Sequence, residues 1–574
     1  MIYYRITPVS LDRHVLRVTI CFKNERLEKQ ALFMPNWTPG SYMIRDFSRH
    51  ILRISAKCQN VSQEIQQIKK NVWQLPALIG DWEVEYDIYA FDLSPRGAFV
   101  DDKRAFFDGA AVWLAVVGRE NENCNVEFSL PESWSVATSL REVSQNVFFT
   151  ENYADLLDAP MSAGNLKILS FSVKDILHRV VLIDECDYLD DKRLCEDVGL
   201  ICKKQIELFG CAPFDNYTFL LHVTFDGYGG LEHLSSSSLI TSRKCLPSIR
   251  NCNNRDDYVN LLGLFSHEYF HAWNIKSIKP DVFQHYDLQE EVYTNQLWAF
   301  EGITSYYDDL MLLRSGVISL EEYLKLILKT IDNVSHQYGR KLQSVAQSSF
   351  NAWTKFYKSN ENSHNSIISY YQKGALVALC LDDLLRSHSD DKYSLDDVMR
   401  GLYNSHQQVS DDDWQRVAEE LVGGDLSDFF RQYVYGTQEL PLIDVCKNRG
   451  IVLDFLSVDK PDLVDEFPSE THKLFFGATC EDCGFGKKIK KINYDSIADA
   501  AQLAVGDVIV AINGFGVSEF DYVWQQLRCS DTLEIHYLRN NRLGVTSLVV
   551  EDCKVFHAVF KIENRKLLCK RFGV

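Results

Sequence analysis

The stretch Ser266-His267-Glu268-Tyr269-Phe270-His271 contains the residues from which the fold of this chain can be inferred. His267 and His271 stand four residues apart, so on a helix both imidazoles leave the same face and can bind one metal ion. Glu268 lies about 100° round the helix from His267. From there its carboxylate can take a proton from a metal-activated water without becoming a ligand. The pattern indicates a hydrolytic zinc site, and the alternative is a half-buried helical turn without a metal.

A glutamate further along the chain is a candidate third ligand. A catalytic zinc ion takes three protein ligands and keeps its fourth position for water. Glu301 stands among apolar neighbours, and residues 294–313 contain no lysine or arginine that could neutralise it. A carboxylate in such surroundings is costly unless it binds a cation. Glu290 and Glu291 are competing candidates, but they lie in an acidic, loop-like stretch, and we expect them in solvent.

Two segments around these residues resemble a known family. HEYFHAWNIKSIKP (267–280) and LWAFEGITSYYDDL (297–310) resemble the M61 metallopeptidases, the glycyl aminopeptidase family of the gluzincin clan. The loop of 29 residues between the second histidine and the glutamate is typical of that family's spacing. The resemblance implies one Zn²⁺ ion bound by His267, His271 and Glu301. Lysine precedes the proline of the first segment where arginine is common in the family.

A glycine-rich segment upstream is a candidate substrate-binding element. Residues 217–225 alternate large apolar side chains with other residues, which predicts a strand with one buried side. GGLEH (229–233) follows, and it resembles the family's counterpart of the exopeptidase motif in M1 aminopeptidases. The resemblance implies that Glu232 binds the free α-ammonium group of a peptide substrate, whereas a lone strand-end glutamate is usually in solvent. It also places three further residues in substrate binding, namely Gly229, Gly230 and His233.

A tyrosine pair downstream is a candidate source of an oxyanion donor. Tyr370-Tyr371-Gln372-Lys373-Gly374 opens an apolar run that predicts a helix. YxKG resembles the element that supplies a phenol to the oxyanion in related aminopeptidases. A neutral tyrosine can donate a hydrogen bond to the oxygen that becomes negative in the tetrahedral intermediate. Tyr371 is the expected donor, Tyr370 is the alternative, and a buried packing role is the other interpretation of either residue.

The N-terminal part of the chain has the pattern of a β-rich domain. Residues 15–22 and 82–88 alternate as strands do between turn residues. PNWTPGSY (35–42) and FFDG (106–109) resemble signatures of the β-rich domain that precedes the catalytic domain in the M61 family. We find no catalytic chemistry in these segments.

The last part of the chain resembles a different domain type. DSIADAAQLAVGDVIVAING (495–514) is similar to the helix, turn and strand of a bacterial-type PDZ domain. PDZ domains bind extended peptides by adding a strand to a sheet edge. The expected peptide-binding loop is Phe475-Phe476-Gly477, with Gly484-Phe485-Gly486 as the alternative. The expected partner is a peptide or another part of the same chain.

Together these patterns predict a multidomain α+β protein. Residues 1–165 are expected to form the N-terminal β-rich domain. Residues 166–445 are expected to form a gluzincin catalytic domain of thermolysin-like or M1-like α+β type, with a mostly helical second half. Residues 446–574 are expected to form the PDZ domain and a C-terminal segment.

Composition restricts the partners and the compartment. A net charge of −20 argues against nucleic acid or an anionic membrane as a partner. No apolar run approaches the roughly 18 residues of a membrane span, and the first residues lead into a strand pattern rather than a signal peptide. The sixteen cysteines are scattered apart from Cys480 and Cys483, which suggests free thiols. We therefore expect a cytoplasmic protein.

The expected function is that of a zinc-dependent aminopeptidase, which hydrolyses the N-terminal residue of peptides. The family resemblance implies a small first residue, glycine or alanine. Two alternatives remain: a zinc endopeptidase, and a catalytically silent, PDZ-containing peptide-binding protein.

Overall fold

The computed structural model describes residues 1–183, 187–250, 254–285, 287–405, 408–469, 474–551 and 555–574. The chain forms two compact units. The first contains residues 1–293, 307–317 and 399–410, and the second contains residues 294–306, 318–398 and 411–574. None of the helices in the described part of the chain combines the length and the apolar character that a membrane crossing requires.

The first unit begins with the predicted β-rich region. Its eight-stranded sheet has the order Arg141–Ser144, Val147–Thr150, Cys124–Phe128, Ile2–Ser10, Val15–Asn24, Gly80–Tyr89, Ile51–Cys58, Val61–Gln63. Two four-stranded sheets accompany it, in the orders Ser135–Ala137, Met161–Gly164, Arg104–Phe107, Ala98–Val100 and Ala115–Val116, Gln30–Phe33, Val72–Leu75, Gln66–Lys69. Val15–Asn24 buries alternate residues, as a strand with one face on a core does. The β-rich character predicted for this region is confirmed.

A five-stranded mixed sheet follows in the same unit and positions the GGLEH segment. Its order is Lys167–Val173, Ile176–Ile183, Asn216–Thr224, Ser236–Ser242, Gly229–Glu232. Asn216–Thr224 pairs in parallel with both neighbours and is buried on both faces. The prediction of one buried side was therefore wrong, because parallel strands are usually covered on both faces. Phe225 lies beyond the strand and is 90% exposed.

In the part of the chain that the structure describes, the first unit contains two long helices, which pack beside this sheet, and several short ones. The long ones are Asp191–Phe209 and Arg255–Phe270, and the short ones are Tyr153–Leu157, Phe47–His50, Gly109–Ala111, Arg243–Cys245 and Asp281–Phe283. Lys279–Pro280 and Gln408–Val409 form a small parallel pair. The helices Thr304–Ser315 and Leu395–Ser405 each contribute residues to both units.

The second unit is helical in its first part. Its helices are Leu320–Ser335, Tyr338–Lys341, Val345–Phe350, Ser363–Ser366, Gln372–His388, Asp413–Val422, Ser427–Phe429 and Leu442–Asn448, and Trp298–Ile303, Ala352–Phe356 and Phe430–Val434 are π-helical. This agrees with the prediction of a helical part in an α+β chain.

The C-terminal part of the second unit contains two sheets. One has the order Ile451–Leu456, His557–Ile562, Asp462–Val464. The other has the order Ala478–Cys483, Gly486–Ile492, Val508–Ile512, Thr532–Arg539, Arg542–Val549, and Phe515–Gly516 pairs with its third strand. The remaining helices are Ile497–Ala500, Val517–Glu519, Phe520–Gln526 and Arg565–Phe572. Every cysteine that the structure describes is a free thiol.

Candidate active site

The helix Arg255–Phe270, called the motif helix below, brings the motif residues together in the first unit. His267 and Glu268 lie in its last turn, and His271 is its C-terminal cap. The Asn254 side chain accepts a hydrogen bond from the Asp256 N–H and caps the other end. Glu268 is 5% exposed and His271 is 1% exposed. The motif side chains are therefore held in the interior.

Hydrogen bonds fix the orientation of both imidazoles. His267 Nδ1 lies 2.9 Å from Asp308 Oδ2, and His271 Nδ1 lies 2.9 Å from the Asn274 carbonyl oxygen. Because both partners are acceptors, each Nδ1 carries the proton and each Nε2 presents a lone pair. The two Nε2 atoms lie 3.1 Å apart.

This separation fits a shared metal ion. Two lone pairs facing each other at 3.1 Å repel unless a proton or a metal ion lies between them. Two ligands about 2.05 Å from a tetrahedral zinc ion are about 3.3 Å apart. The histidine pair of the motif helix is therefore arranged as two ligands of one Zn²⁺ ion are.

The sequence did not predict that Asp308 is the hydrogen-bond partner of His267. The Ser266 hydroxyl donates to the Asp308 carbonyl oxygen at 2.8 Å, and Gln205 Nε2 donates to the Ser266 carbonyl oxygen at 2.8 Å. Burial raises the pKa of the Asp308 carboxyl, and the hydrogen bond from His267 opposes that rise. The sequence signal was the acidic pair of the YYDDL run, seven residues beyond Glu301.

The strand Gly229–Glu232 lies directly against the motif helix. A Cβ atom on Gly230 would lie 2.1 Å from Glu268 Oε1, so a larger residue at this position would displace the Glu268 side chain. Arg96 Nη2 donates to the Gly230 carbonyl oxygen at 2.8 Å. The strand therefore passes next to the Glu268 carboxylate.

Glu232 is buried rather than in solvent. It is 5% exposed, and its carboxylate oxygen belongs to a group with Glu268 and His271 whose donor atoms all lie within 4.8 Å of one another. Gly40, in the PNWTPGSY segment, has a φ of +88°, and a Cβ there would lie 2.5 Å from Glu232 Oε1. The N-terminal region therefore packs directly against Glu232, the residue predicted to bind the substrate's α-ammonium group.

His233 belongs to a buried charge cluster next to that anchor. Its Nδ1 lies 3.2 Å from Asp158 Oδ1, and Lys276 Nζ donates to the same oxygen at 2.5 Å. Burial alone would raise the pKa of Asp158, but the charge of Lys276 and the hydrogen bond to His233 bring it well below its usual value. His233 therefore orients the end of the GGLEH strand.

The loop between His271 and Glu301 is hydrogen-bonded to Trp37 of the PNWTPGSY segment. Trp37 Nε1 donates to the carbonyl oxygens of Asp287 and Glu290, at 3.0 and 2.9 Å. The side chains of Glu290 and Glu291 are exposed, as expected from the sequence.

Glu301 and the tyrosine pair lie in the second unit. Glu301 is 2% exposed and sits in the π-helical segment Trp298–Ile303, a geometry that often occurs at functional sites. Gly302 of this segment meets Gly374 of the helix Gln372–His388, because a Cβ on Gly302 would lie 2.6 Å from Gly374 Cα. This glycine contact brings Glu301 close to the start of the helix Gln372–His388, which Tyr370 and Tyr371 directly precede.

The two tyrosines differ in their surroundings. Burial raises the pKa of both well above its usual value, so both phenols are protonated donors at neutral pH. After burial, the largest contribution to the raised pKa of Tyr371 comes from the negative charge of Glu301. For the pKa of Tyr370 the largest such contribution comes from Tyr357. Tyr370 is fully buried and stacks on Tyr371 with ring centroids 4.7 Å apart. The negative charge of Glu301 thus raises the pKa of both phenols.

Comparisons with known proteins bear on the whole chain. A family model described as M61 glycyl aminopeptidase matches residues 260–377, and one described as Peptidase M61 N-terminal domain matches residues 3–165. A crystal structure of an aminopeptidase N family protein from Idiomarina loihiensis is 37% identical, covers 100% of both chains and has a TM-score of 0.94. The chain belongs to the M61 glycyl aminopeptidase family. As a member of the M61 family it is a metallo-aminopeptidase, as predicted.

More distant matches add nothing to the M61 assignment. An M1 zinc metallopeptidase from Deinococcus radiodurans is 13% identical, covers 77% of this chain and 94% of its own, and has a TM-score of 0.49. A similarity at that level carries no argument. No curated protein matches the chain.

The contact between Gly302 and Gly374 should control the stability of the second unit of this M61 protein. Gly302→Ala is expected to lower the free energy of unfolding by about 1–3 kcal/mol, because the added methyl group overlaps backbone atoms that cannot move aside. The thermal unfolding midpoint measures this. Gly424→Ala is the control, since the nearest atom to a Cβ there is 4.0 Å away. Equal midpoints for the two variants would contradict the tight glycine contact.

Proposed function

We propose that this protein is a zinc-dependent aminopeptidase that cleaves the first residue from peptides with a free N-terminus. The observation that carries the zinc assignment is the pair of Nε2 atoms 3.1 Å apart, with both Nδ1 atoms fixed by acceptors. When bound, zinc supplies Lewis acidity and makes a hydroxide nucleophile accessible near neutral pH. Membership of the glycyl aminopeptidase family supports glycine or alanine as the first residue.

Glu301 is the proposed third zinc ligand. It is 2% exposed and lies in the π-helical segment Trp298–Ile303. Its helical segment continues directly into Thr304–Ser315, where Asp308 accepts the hydrogen bond from His267. Asp308 follows Glu301 by seven residues along this stretch. The continuity of this helical stretch therefore supports Glu301 as the third ligand beside His267 and His271, as the family resemblance implies.

Glu268 and Tyr371 are the proposed catalytic side chains. Glu268 accepts the proton of the attacking water at its carboxylate and passes it to the leaving amine. Its burial under Gly230 keeps the carboxylate in one position. Tyr371 keeps its phenolic proton at neutral pH and donates a hydrogen bond to the oxyanion that forms at the scissile carbonyl.

Glu232 is the proposed anchor for the substrate's α-ammonium group. A buried carboxylate close to Glu268 and His271 can pair with an ammonium group only if the substrate's first residue lies beside the catalytic residues. Gly229, Gly230 and His233 are proposed to shape the strand along which that residue binds.

The C-terminal PDZ interpretation is a further proposal. The strand Ala478–Cys483 is an edge strand and directly follows the loop Phe475-Phe476-Gly477. Phe476 packs on Phe520 and Trp524 of the helix Phe520–Gln526. Gly484 and Phe485 instead form the tip of the hairpin to the next strand. These positions favour the first loop as the place where an extended peptide would add to the sheet edge.

The test is hydrolysis of aminoacyl reporter amides, free and N-acetylated, before and after chelation and zinc restoration. We expect zinc-dependent turnover of free glycyl and alanyl substrates that acetylation abolishes. Turnover of blocked peptides alone would instead identify an endopeptidase. No turnover of either set by the zinc-loaded protein would favour the peptide-binding alternative.

Asp308→Asn should weaken zinc binding. An asparagine at this position cannot supply the negative charge that fixes the His267 tautomer and raises its basicity, so zinc affinity is expected to fall about 10–100-fold. Competition with a chromophoric chelator measures the affinity. Asp309→Asn removes the same charge one residue further along the helix and should leave the affinity within about twofold. Equal affinities in both variants would show that Asp308 does not support the zinc site.

A further inference from the structure

A second group of possible metal ligands lies in the second unit, apart from the motif helix. Asp332 is in the last turns of the helix Leu320–Ser335, and His336 is the C-terminal cap of that helix. His557 is the first residue of the strand His557–Ile562. One donor atom from each of the three side chains lies within 4.8 Å of the other two.

The distances from each histidine to the Asp332 carboxylate are compatible with one shared ion. His557 Nδ1 lies 3.0 Å from Asp332 Oδ2, and His336 Nδ1 lies 3.6 Å from the same oxygen. The expected separation of two ligands on a tetrahedral zinc ion is about 3.3 Å, between these two values. Two imidazoles and one carboxylate also form a donor set that suits divalent transition metals.

The group is both anchored and accessible. The Ala558 N–H donates to Asp332 Oδ1 at 2.9 Å, which fixes the carboxylate and leaves Oδ2 toward the histidines. The His336 and His557 side chains are 30% and 18% exposed, so an ion can reach them from solvent. A cavity of about 570 Å³ adjoins the group, and His336, Arg340 and Lys373 are among its lining residues.

Hydrogen bonds alone are the competing interpretation of this group. His557 Nδ1 donates to the Asp332 carboxylate, and His336 Nδ1 lies 2.7 Å from the Asp332 carbonyl oxygen, to which it donates. A metal ion would take the place of both Nδ1 protons, each imidazole would then carry its proton on Nε2, and His336 would have to turn slightly away from the carbonyl.

We propose that Asp332, His336 and His557 form a second zinc site, which fastens the C-terminal strand to the helix Leu320–Ser335. The adjoining cavity is open to water for the remaining coordination position, and its charged lining residues are Arg340, Lys373 and Glu439, of which Glu439 pairs with Arg340 at 3.1 Å. This site shares no residue with the proposed catalytic centre and does not depend on the proposed function.

Zinc titration of the full-length His267→Ala/His271→Ala variant tests the second site by itself. We expect this variant to bind one equivalent of zinc per chain, measured by metal analysis after dialysis, and its thermal unfolding midpoint to rise with zinc. Adding His336→Ala or His557→Ala should weaken binding at least about 100-fold, since each removes a direct ligand. Adding His388→Ala, which removes an exposed histidine of the same unit, should change neither result.

Two outcomes would overturn the second site. One is a His267→Ala/His271→Ala variant that binds no zinc at micromolar concentration. The other is zinc binding that persists after removal of His336 or His557. Asp332→Asn keeps an acceptor for the Ala558 N–H, so it replaces the histidine variants if these fail to fold, and the same loss of zinc is expected. A failure of the aminopeptidase assays would leave these titrations unaffected.

Discussion

Glu268→Gln is expected to lower kcat by about 10³–10⁴-fold while the protein keeps its full zinc content. Glutamine has the size of glutamate, so it fits beneath Gly230, where an added Cβ would lie 2.1 Å from the Glu268 carboxylate. Its amide cannot accept the proton of the attacking water. The loss should therefore fall on kcat rather than on substrate binding. Steady-state kinetics on a free glycyl amide, with metal analysis of the same sample, measure both quantities.

The matched control for this variant is Glu290→Gln. Glu290 is an exposed glutamate in the loop before Glu301, and its replacement should leave kcat within about twofold. A Glu268→Gln enzyme with near-normal kcat and full zinc would refute the general-base role. A variant that has lost its zinc would refute the claim that Glu268 is not a ligand.

The features predicted from the sequence are those that local patterns determine. The strands Val15–Asn24 and Gly80–Tyr89 match alternations that are visible in any short window. The motif helix follows from the spacing of His267 and His271, since side chains four residues apart share a helix face. In each case the residues that specify the element lie within the element.

The features that could not be predicted depend on segments that are distant in the chain. Gly40 packs on Glu232, and Asp308 accepts a hydrogen bond from His267. No periodicity links these pairs, because each contact is set by how the sheets and helices pack. The strand Asn216–Thr224 shows the same limit: its alternation of large apolar residues does not reveal that Thr218 and His222, between them, are buried as well.

Glu232→Ala is expected to lower kcat/KM for free aminoacyl amides by about 10²–10³-fold, because it removes the buried partner of the substrate's charged amino group. N-acetylated substrates have no such charge, so whatever turnover they show should change by less than about threefold. The effect of the variant is therefore a loss of selectivity for a free N-terminus. Kinetics on matched free and acetylated glycyl substrates measure this ratio.

Glu232→Gln separates the charge of this residue from its packing. Glutamine fills the space beside Gly40, where a Cβ would lie 2.5 Å from Glu232 Oε1, but it carries no negative charge. If the charge binds the ammonium group, the glutamine variant should lose nearly as much kcat/KM as the alanine variant. If only the shape of the site matters, glutamine should restore most of the activity. An equal loss on free and acetylated substrates in both variants would mean that Glu232 supports the active site structurally and is not the ammonium anchor.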